Sequence, residues 1–218
     1  MIVVSAAAPG DLVAAAGVLA EAFVDDPVTG AVVGGSAHDR LERTRHLFLG
    51  LLPSAIAHGT VDVARHVDRP EILGVALWEA PDAATSVLRL AARLPSFWRA
   101  LGPGGLYRGV STKIAIDRHR PRQPHWYLQE IGVAAAARGQ GVGGALIHAR
   151  LASVDAQDAA AYLESSSERN RRLYRRHDFV EVAVLDGVVG SPTTMWRASA
   201  SDRSVGLTCR GARPCRPA

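Results

Sequence analysis

The residues best suited to chemistry are grouped in one run, Arg138-Gly139-Gln140-Gly141-Val142-Gly143-Gly144. Glycines without side chains let a ligand approach the backbone. A helix that opens on such a run offers N–H groups with no partner inside the helix, aimed along the positive end of its dipole. Before the run, Trp126 to Val133 is a stretch of aromatic and branched residues that reads as a strand; after it, Val142, Ala145, Leu146 and Ala149 stand at helical spacing. A strand, a glycine loop and a helix in that order bind phosphate. A glycine-rich turn with no ligand is the plain alternative, although glycine is costly at a helix start unless it is used.

Several loops share this pattern. Gly139 to Gly144 satisfies G-x-G-x-x-G, the dinucleotide fingerprint, with Asp158 or Glu164 roughly 20 residues on as a ribose ligand. In that fold the first glycine follows the strand directly, whereas here Ala134 to Arg138 intervene. A nucleotide P-loop needs Lys-Ser or Lys-Thr after its last glycine, and Ala145-Leu146 excludes it. Arg138-Gly139-Gln140-Gly141-Val142-Gly143 resembles the (Gln/Arg)-x-x-Gly-x-Gly/Ala acyl-CoA motif of the GNAT acetyltransferase superfamily. The short interval Ala134 to Ala137 between strand and loop is similar to that family as well. The resemblance runs from Pro124 to Phe179 and is closest in spelling to the puromycin N-acetyltransferase-like branch. Trp126-Tyr127-Leu128, Ile131-Gly132-Val133, Leu163-Glu164-Ser165-Ser166, Arg169-Asn170 and Leu173 to His177 carry it, while the first half of the chain matches only in layout.

The resemblance implies transfer of an acetyl group from acetyl-CoA to the primary amine of a small molecule, by direct attack in a ternary complex and with no metal. Such a reaction needs a thioester held beside the nucleophile, a donor for the developing oxyanion, a base for the amine proton and an acid for the departing thiolate. By the same resemblance, the backbone of Ile131, Gly132 and Val133 pairs with the pantetheine arm, and the N–H groups of Gly139 to Gly144 receive the pyrophosphate. Asn170 and Tyr174, four apart and so on one helix face, match the pair that binds pantetheine and protonates the sulfur. A core aromatic that anchors its helix is the other reading of Tyr174. Asp178 departs from the family by replacing the glycine that closes this helix in a left-handed conformation. Two carboxylates compete as base: Glu130, which a one-residue bulge would turn to the other face of its strand, and Glu164 on the neighbouring strand, with a water relay as a third route. Phe23, Asp25 and Asp26, just after the first helix, are acceptor contacts by resemblance and a simple turn otherwise. A non-catalytic acyl-CoA sensor and a nicotinamide-dependent oxidoreductase are the rival functions.

The elements that must position these residues follow from periodicity. A strand at Ile2 to Ser5 precedes a helix with Leu12, Ala16, Leu19 and Phe23 on one face, stopped by Asp25-Asp26-Pro27. Asp39 to His58 predicts a helix with Leu41, Phe48, Leu52 and Ile56 inward and a kink or break at Pro53. Val61 to Val63 and Ile72 to Trp78 read as a hairpin about Asp68-Arg69-Pro70-Glu71, with Trp78 in the core. Pro81 to about Ala100 is expected to be helical, ended by Gly102-Pro103-Gly104-Gly105. After the glycine-loop helix come a strand at Ala160 to Ser165, a short helix through His177, and a hairpin of Phe179 to Val184 with Thr193 to Arg197. His119 and His125 lie in the loop before Trp126 with no partner visible, as loop residues rather than catalytic ones. The sum is an α/β fold, a GNAT-like mixed central sheet flanked by helices, with a splayed acetyl-CoA-binding strand pair.

Composition bounds the rest. With 218 residues, 48% hydrophobic, the chain can bury an ordinary core as a single domain over 1–198, with an acyl-CoA core at about 124–180. The start lacks a secretory pattern and no apolar run spans a bilayer, so a soluble, cytoplasmic protein with no membrane partner is expected. The formal charge of +4 is carried by arginine, Lys113 being the only lysine. Arginine suits nucleic acid or a phosphate-rich cofactor equally. The cluster Arg169 to Arg176 reads as a solvated helix face, so no nucleic-acid partner is expected. Cys209 and Cys215 lie in 199–218, which lacks hydrophobic period and is expected to be a disordered tail. Monomer and homodimer both remain open.

Overall fold

The computed structural model describes residues 1–81, 83 and 94–209. Seven strands, β1 (Ile2–Ala6), β2 (Gly59–His66), β3 (Ile72–Glu79), β4 (His125–Val133), β5 (Ala160–Ser165), β6 (Val180–Val184) and β7 (Thr193–Arg197), form one sheet in the order β1-β2-β3-β4-β5-β7-β6. All neighbours are antiparallel except β4 and β5, which run parallel because a helical crossover joins them. The helices are α1 (Leu12–Phe23), α2 (Pro27–Val33), α3 (Ala37–His58), α4 (Leu94–Asp117), α5 (Val142–Ala156), α6 (Glu168–Arg175) and α7 (Ala200–Cys209). This is the mixed, helix-flanked sheet expected from the sequence. No helix among the described residues is long and apolar enough to cross a membrane.

Both faces of the central strands are covered, which explains why they read as apolar throughout. Val75 and Leu77 of β3 pack with Ala15, Ala16 and Leu19 of α1 and Phe48 and Leu52 of α3. Ala76 and Trp78 face the other way, onto Val142, Leu146, Ile147 and Leu151 of α5. Leu146 and Ile147 are fully buried, each contributing roughly 1.5–3 kcal/mol from area removed from water. The helix that presents the glycine loop is therefore held rigidly on the sheet. Gly74 lets it approach closely, since a Cβ there would lie 2.7 Å from Val142 Cγ1.

Three expectations need correction. The inward stripe of α3 is Thr44, Phe48, Leu52 and Ala55, leaving Leu41 and Ile56 exposed; Ile56 stands one residue past the stripe, and Pro53 is accommodated without ending the helix. Asp25-Asp26-Pro27 stops α1 but also starts α2, because Asp26 accepts the Thr29 N–H at 2.9 Å and proline suits the first helical position. Gly102 does end the first part of α4, as expected, by taking φ 59°; what the sequence did not announce is that Pro103 opens a second helical run to Asp117. The expected helical start between Pro81 and Leu94 lies largely outside the described residues. Finally, the segment after Ala198 begins as helix α7. Ser199 caps it by accepting the Asp202 N–H at 3.2 Å, Ser201 N–H donates to Asp158 at 2.8 Å, and Arg203 pairs with Asp155 at 2.8 Å. Cys215 and the rest of 210–218 lie outside the described residues.

One buried ion pair ties α5 to β2. Arg150 Nε donates to Asp62 Oδ2 at 2.9 Å, with Asp62 only 3% exposed. Removing one partner strands the other charge, so Asp62→Ala is expected to cost about 3–5 kcal/mol in urea unfolding. The double variant Asp62→Leu with Arg150→Met should recover most of that loss.

Candidate active site

The site forms where β4 leaves β5. The ladder between them spans only His125 to Leu128 against Ala160 to Leu163, so Gln129 to Val133 have no strand partner on that side. On the other side β4 remains paired with β3, but its register shifts: Leu77 opposes Glu130 while Trp78 opposes Leu128. Gln129 is the extra residue of a bulge. Glu130 therefore shares the face of Leu77 and Tyr127, opposite α5, whereas Ile131 and Val133 pack toward α5. Gly132 is demanded by contact: a Cβ there would sit 2.8 Å from Ala22 Cβ and 3.1 Å from Leu19 Cδ2, where α1 crosses β4.

Beyond Val133 the chain enters the glycine loop. Gly139 and Gly141 adopt φ 80° and 81°, and a Cβ at either would meet nothing within 4 Å, so backbone conformation rather than crowding requires glycine. Gly141 caps α5, whose first N–H groups, from Val142 to Gly144, have no acceptor inside the helix. They face a cleft of about 590 Å³ that runs from Ile131, Gly132 and Val133 past Arg138 and the loop to Asn170, Leu173 and Tyr174. Every residue expected to hold the cofactor lines it except Gln140, whose amide instead donates to the Ala136 carbonyl at 2.8 Å. Asp158, the ribose ligand of the dinucleotide reading, is bound to Ser201.

The arginine cluster divides in a way its composition concealed. Arg171 and Arg175 pair with Glu168 at 2.9 Å on the outer face of α6. Arg169, Arg172 and Arg176 line the cleft. Their i, i+3, i+7 spacing is the signal that sets them apart from the solvated face expected of the whole run. Tyr174 is 4% exposed, edge-on to Phe179 at 6.0 Å between centroids, and also lines the cleft, so it anchors its helix and faces the site at once. Asp178 takes the left-handed conformation of the glycine it replaces, φ 65°, and Phe179 N–H donates to the Tyr174 carbonyl at 3.2 Å, so the helix closes in place.

Carboxylates gather on the opposite face. Burial pushes the Glu130 carboxyl up to about 8, aided by the charges of Asp26 and Glu164. Glu164 is also raised, chiefly by burial, although Tyr127 donates to its Oε2 at 2.7 Å. Asp26 reaches the group from the start of α2 and is tied to the turn after β5 by Ser166 Oγ, which donates at 2.8 Å. Burial and the Glu130 charge hold the Tyr174 hydroxyl well above its ordinary range, so it stays protonated. Of the three residues after α1, only Asp26 joins this group: Phe23 stacks on Phe48 at 5.5 Å and Asp25 is exposed. His125 is buried at the head of β4, its Nδ1 2.6 Å from the Gln123 carbonyl and its Nε2 accepting from Arg120, and burial lowers its pKa. His119 contacts the Ala115 carbonyl at 2.9 Å. An open strand edge, an anion-binding loop at one end, and a buried acid beside a protonated hydroxyl at the other can hold an extended phosphate-bearing chain and transfer protons at its tip.

Comparison with known proteins agrees. The family model described as Acetyltransferase (GNAT) domain matches residues 97–181. A crystal structure from Corynebacterium glutamicum, described as a histone acetyltransferase HPA2 and related acetyltransferase, is 32% identical and superposes with a TM-score of 0.70, covering 91% of this chain and 97% of its own. An uncharacterized N-acetyltransferase of Schizosaccharomyces pombe is 28% identical over 76% of this chain and 69% of its own length. An arylalkylamine N-acetyltransferase of Aedes aegypti, 11% identical, shares the fold with a TM-score of 0.59, covering 90% of this chain and 98% of its own.

The carboxylate group makes a direct prediction. Asp26→Asn keeps the helix cap and removes one charge, so the Glu130 carboxyl, followed by carbon-13 NMR, should titrate at lower pH than its wild-type value near 8. An unmoved titration would separate Asp26 from the group.

Proposed function

The chain belongs to the GNAT acetyltransferases, and from that premise we propose that it moves an acetyl group from acetyl-CoA to the primary amine of a small molecule within a ternary complex. The observation that carries this reading is the unpaired edge of β4, with the glycine loop at one end and Glu130 and Tyr174 at the other. The residues present fit the cosubstrate. Pyrophosphate suits the free N–H groups of the α5 terminus, and Arg169, Arg172 and Arg176 add a cationic wall that no uncharged ligand requires.

When bound, acetyl-CoA supplies an acetyl thioester. The backbone of Ile131 to Val133 then serves as the strand that aligns its arm, with Asn170 fixing the arm from α6. Those N–H groups of this segment that face away from β3 donate to the thioester carbonyl and stabilise the charge that develops there. Glu130 accepts the proton of the attacking amine. Its raised pKa makes it a stronger base than a surface carboxylate while leaving it ionised in mildly alkaline solution. Tyr174 donates its proton to the leaving sulfur. Glu164, held by Tyr127, draws the cationic form of the acceptor toward Glu130. Motif spelling in the second half supports puromycin as one acceptor to try.

The reading is tested by measuring thiol release from acetyl-CoA against a panel of amines, puromycin included. Tyr174→Phe should lower kcat by roughly 10²-fold or more while acetyl-CoA affinity stays within about threefold. The wild-type kcat/KM should rise with pH through about 8 as Glu130 loses its proton, and Glu130→Gln should abolish that rise. Tight binding of acetyl-CoA with no thiol release for any amine would replace transfer by a sensor role. Charge reversal, Arg172→Glu, should weaken acetyl-CoA binding by about 10-fold at low salt and less at high salt.

A further inference from the structure

The bulge that turns Glu130 to the carboxylate face is held by side chains that the acetyl-transfer reading leaves unused. The register on either side of it, Trp78 against Leu128 and Ala76 against Ile131, would be satisfied whether the extra residue fell at Gln129 or at Glu130. Only the first places Glu130 opposite Leu77. Gln129 is tied down by its own side chain, whose Nε2 donates to Glu79 Oε2 at 2.8 Å, two strand positions beyond Leu77 on β3. The other oxygen of Glu79 accepts from Arg120 at 2.9 Å, in a pair whose side chains are only 11% and 19% exposed. Arg120, in the segment between α4 and β4, is itself fixed: its Nε donates to His125 at 3.1 Å, and its guanidinium lies 4.3 Å from the centre of the Tyr127 ring. An ion pair buried to this extent stabilises a fold little more than apolar side chains of its size would, and what it adds is direction. Here one end of it points at the bulge. Tyr127, under the same guanidinium, donates to Glu164, so the pair stands behind both carboxylates.

We propose that Gln129 and Glu79, anchored by Arg120, are the positioning residues of the base: their hydrogen bond fixes which residue of β4 is the extra one and so aims the Glu130 carboxyl at the acceptor amine. This rests on the acetyl-transfer reading and adds to it the residues that hold the base in place. The clasp works through the backbone. The titratable groups that face Glu130 are Asp26 of α2, Glu164 of β5, Tyr127 of β4 and Tyr174 of α6, and neither Glu79 nor Arg120 is among them. With the hydrogen bond gone, Glu130 can take the extra position instead of Gln129, and a carboxyl that leaves the buried group for water regains an ordinary proton affinity. A displacement of about 1 Å in a reacting group is enough to cost on the order of 10²-fold in rate.

Two substitutions break the hydrogen bond in different ways. Gln129→Met keeps the length of the side chain and removes its donor, and Gln129→Asn keeps the donor on a stem one carbon too short to reach Glu79. Both should lower kcat by about 10-fold or more, with acetyl-CoA affinity held within about threefold as proof of an intact fold. In both, the Glu130 carboxyl followed by carbon-13 NMR should titrate well below its wild-type value near 8. The double variant Glu79→Met with Arg120→Met strands no charge, so its urea midpoint should stay close to wild type while kcat and the titration move as in Gln129→Met. Adding Gln129→Met to that double variant should lower kcat no further, since the same contact is already lost. The proposal is overturned by kcat and titration unmoved in the Gln129 variants, or by an additive loss in the triple variant. A lower urea midpoint with neither of them moved also overturns it, by making the clasp purely structural. If no amine releases thiol, the titration decides alone: a lowered midpoint in Gln129→Met keeps the clasp and discards transfer, and an unmoved one discards the clasp as well.

Discussion

The site depends on a sheet being interrupted in its own middle. A strand with a neighbour on each side has no spare backbone donors or acceptors, so a sheet can receive an extended ligand only at an edge. Here an edge is made between β4 and β5 by stopping the ladder at Leu128 and Leu163. Ser165 ends β5, Ser167 caps α6 by accepting the Asn170 N–H at 3.3 Å, and the helix fills the gap with Leu173 and Tyr174, both packed against the α5 core. The interruption therefore brings its own occupants. The residue we assign as acid reaches the gap because the strand beside it has ended.

The bulge at Gln129 is the second half of the same device. Without it Glu130 would follow Leu128 onto the α5 face; with it, Glu130 joins Tyr127 and Glu164. The consequence for stability has a definite sign. A carboxyl whose pKa rises from 4.5 unfolded to about 8 folded binds more protons in the native state, so its contribution weakens as pH climbs between those values. Asp155 does the opposite. Hydrogen bonds from Arg197 and Arg203 hold its carboxyl down to about 2, so its contribution is full above about 3.8 and is lost as pH falls toward 2. Arginine clasps at the back of the molecule thus favour the native state in the pH range where the carboxylates at the front strain it.

What was legible in the sequence was whatever local chemistry specifies. The glycine loop, the strand before it and the hairpins carry their signals in adjacent residues, and Asp178 keeps the left-handed turn because aspartate tolerates it better than most. Hidden features were those decided by a partner far along the chain or by competing local signals. Asp26-Pro27 spells both a stop and a start, and the apolar stripe of α1 announces only the stop. The segment after Ala198 has no hydrophobic period because acidic residues at Asp155 and Asp158, rather than a core, hold its first turn. The face of Glu130 hung on one inserted residue, a matter of register that no propensity reports. The inward arginines of α6 were masked by their neighbours, since a run rich in one charge looks uniform until its period is counted.

Net charge could not choose between a nucleic acid and a phosphate-rich cofactor, yet the fold sorts that charge into two sides of one opening. Toward α6 the cleft is lined by Arg138, Arg169, Arg172 and Arg176 and by the free N–H groups of α5. On the other face of the sheet, the charges of Asp26 and Glu164 add to burial in raising the proton affinity of Glu130. The two sides meet where β4 and β5 part. An anionic donor and a cationic acceptor are each attracted to one side and repelled from the other, so each is steered to its own approach before any contact specific to its shape is made. Separating the charges in this way also keeps Glu130, the base we propose, from being neutralised by the arginines we assign to the cosubstrate. A Glu130 paired with any of those guanidinium groups would have a depressed pKa and little tendency to take a proton.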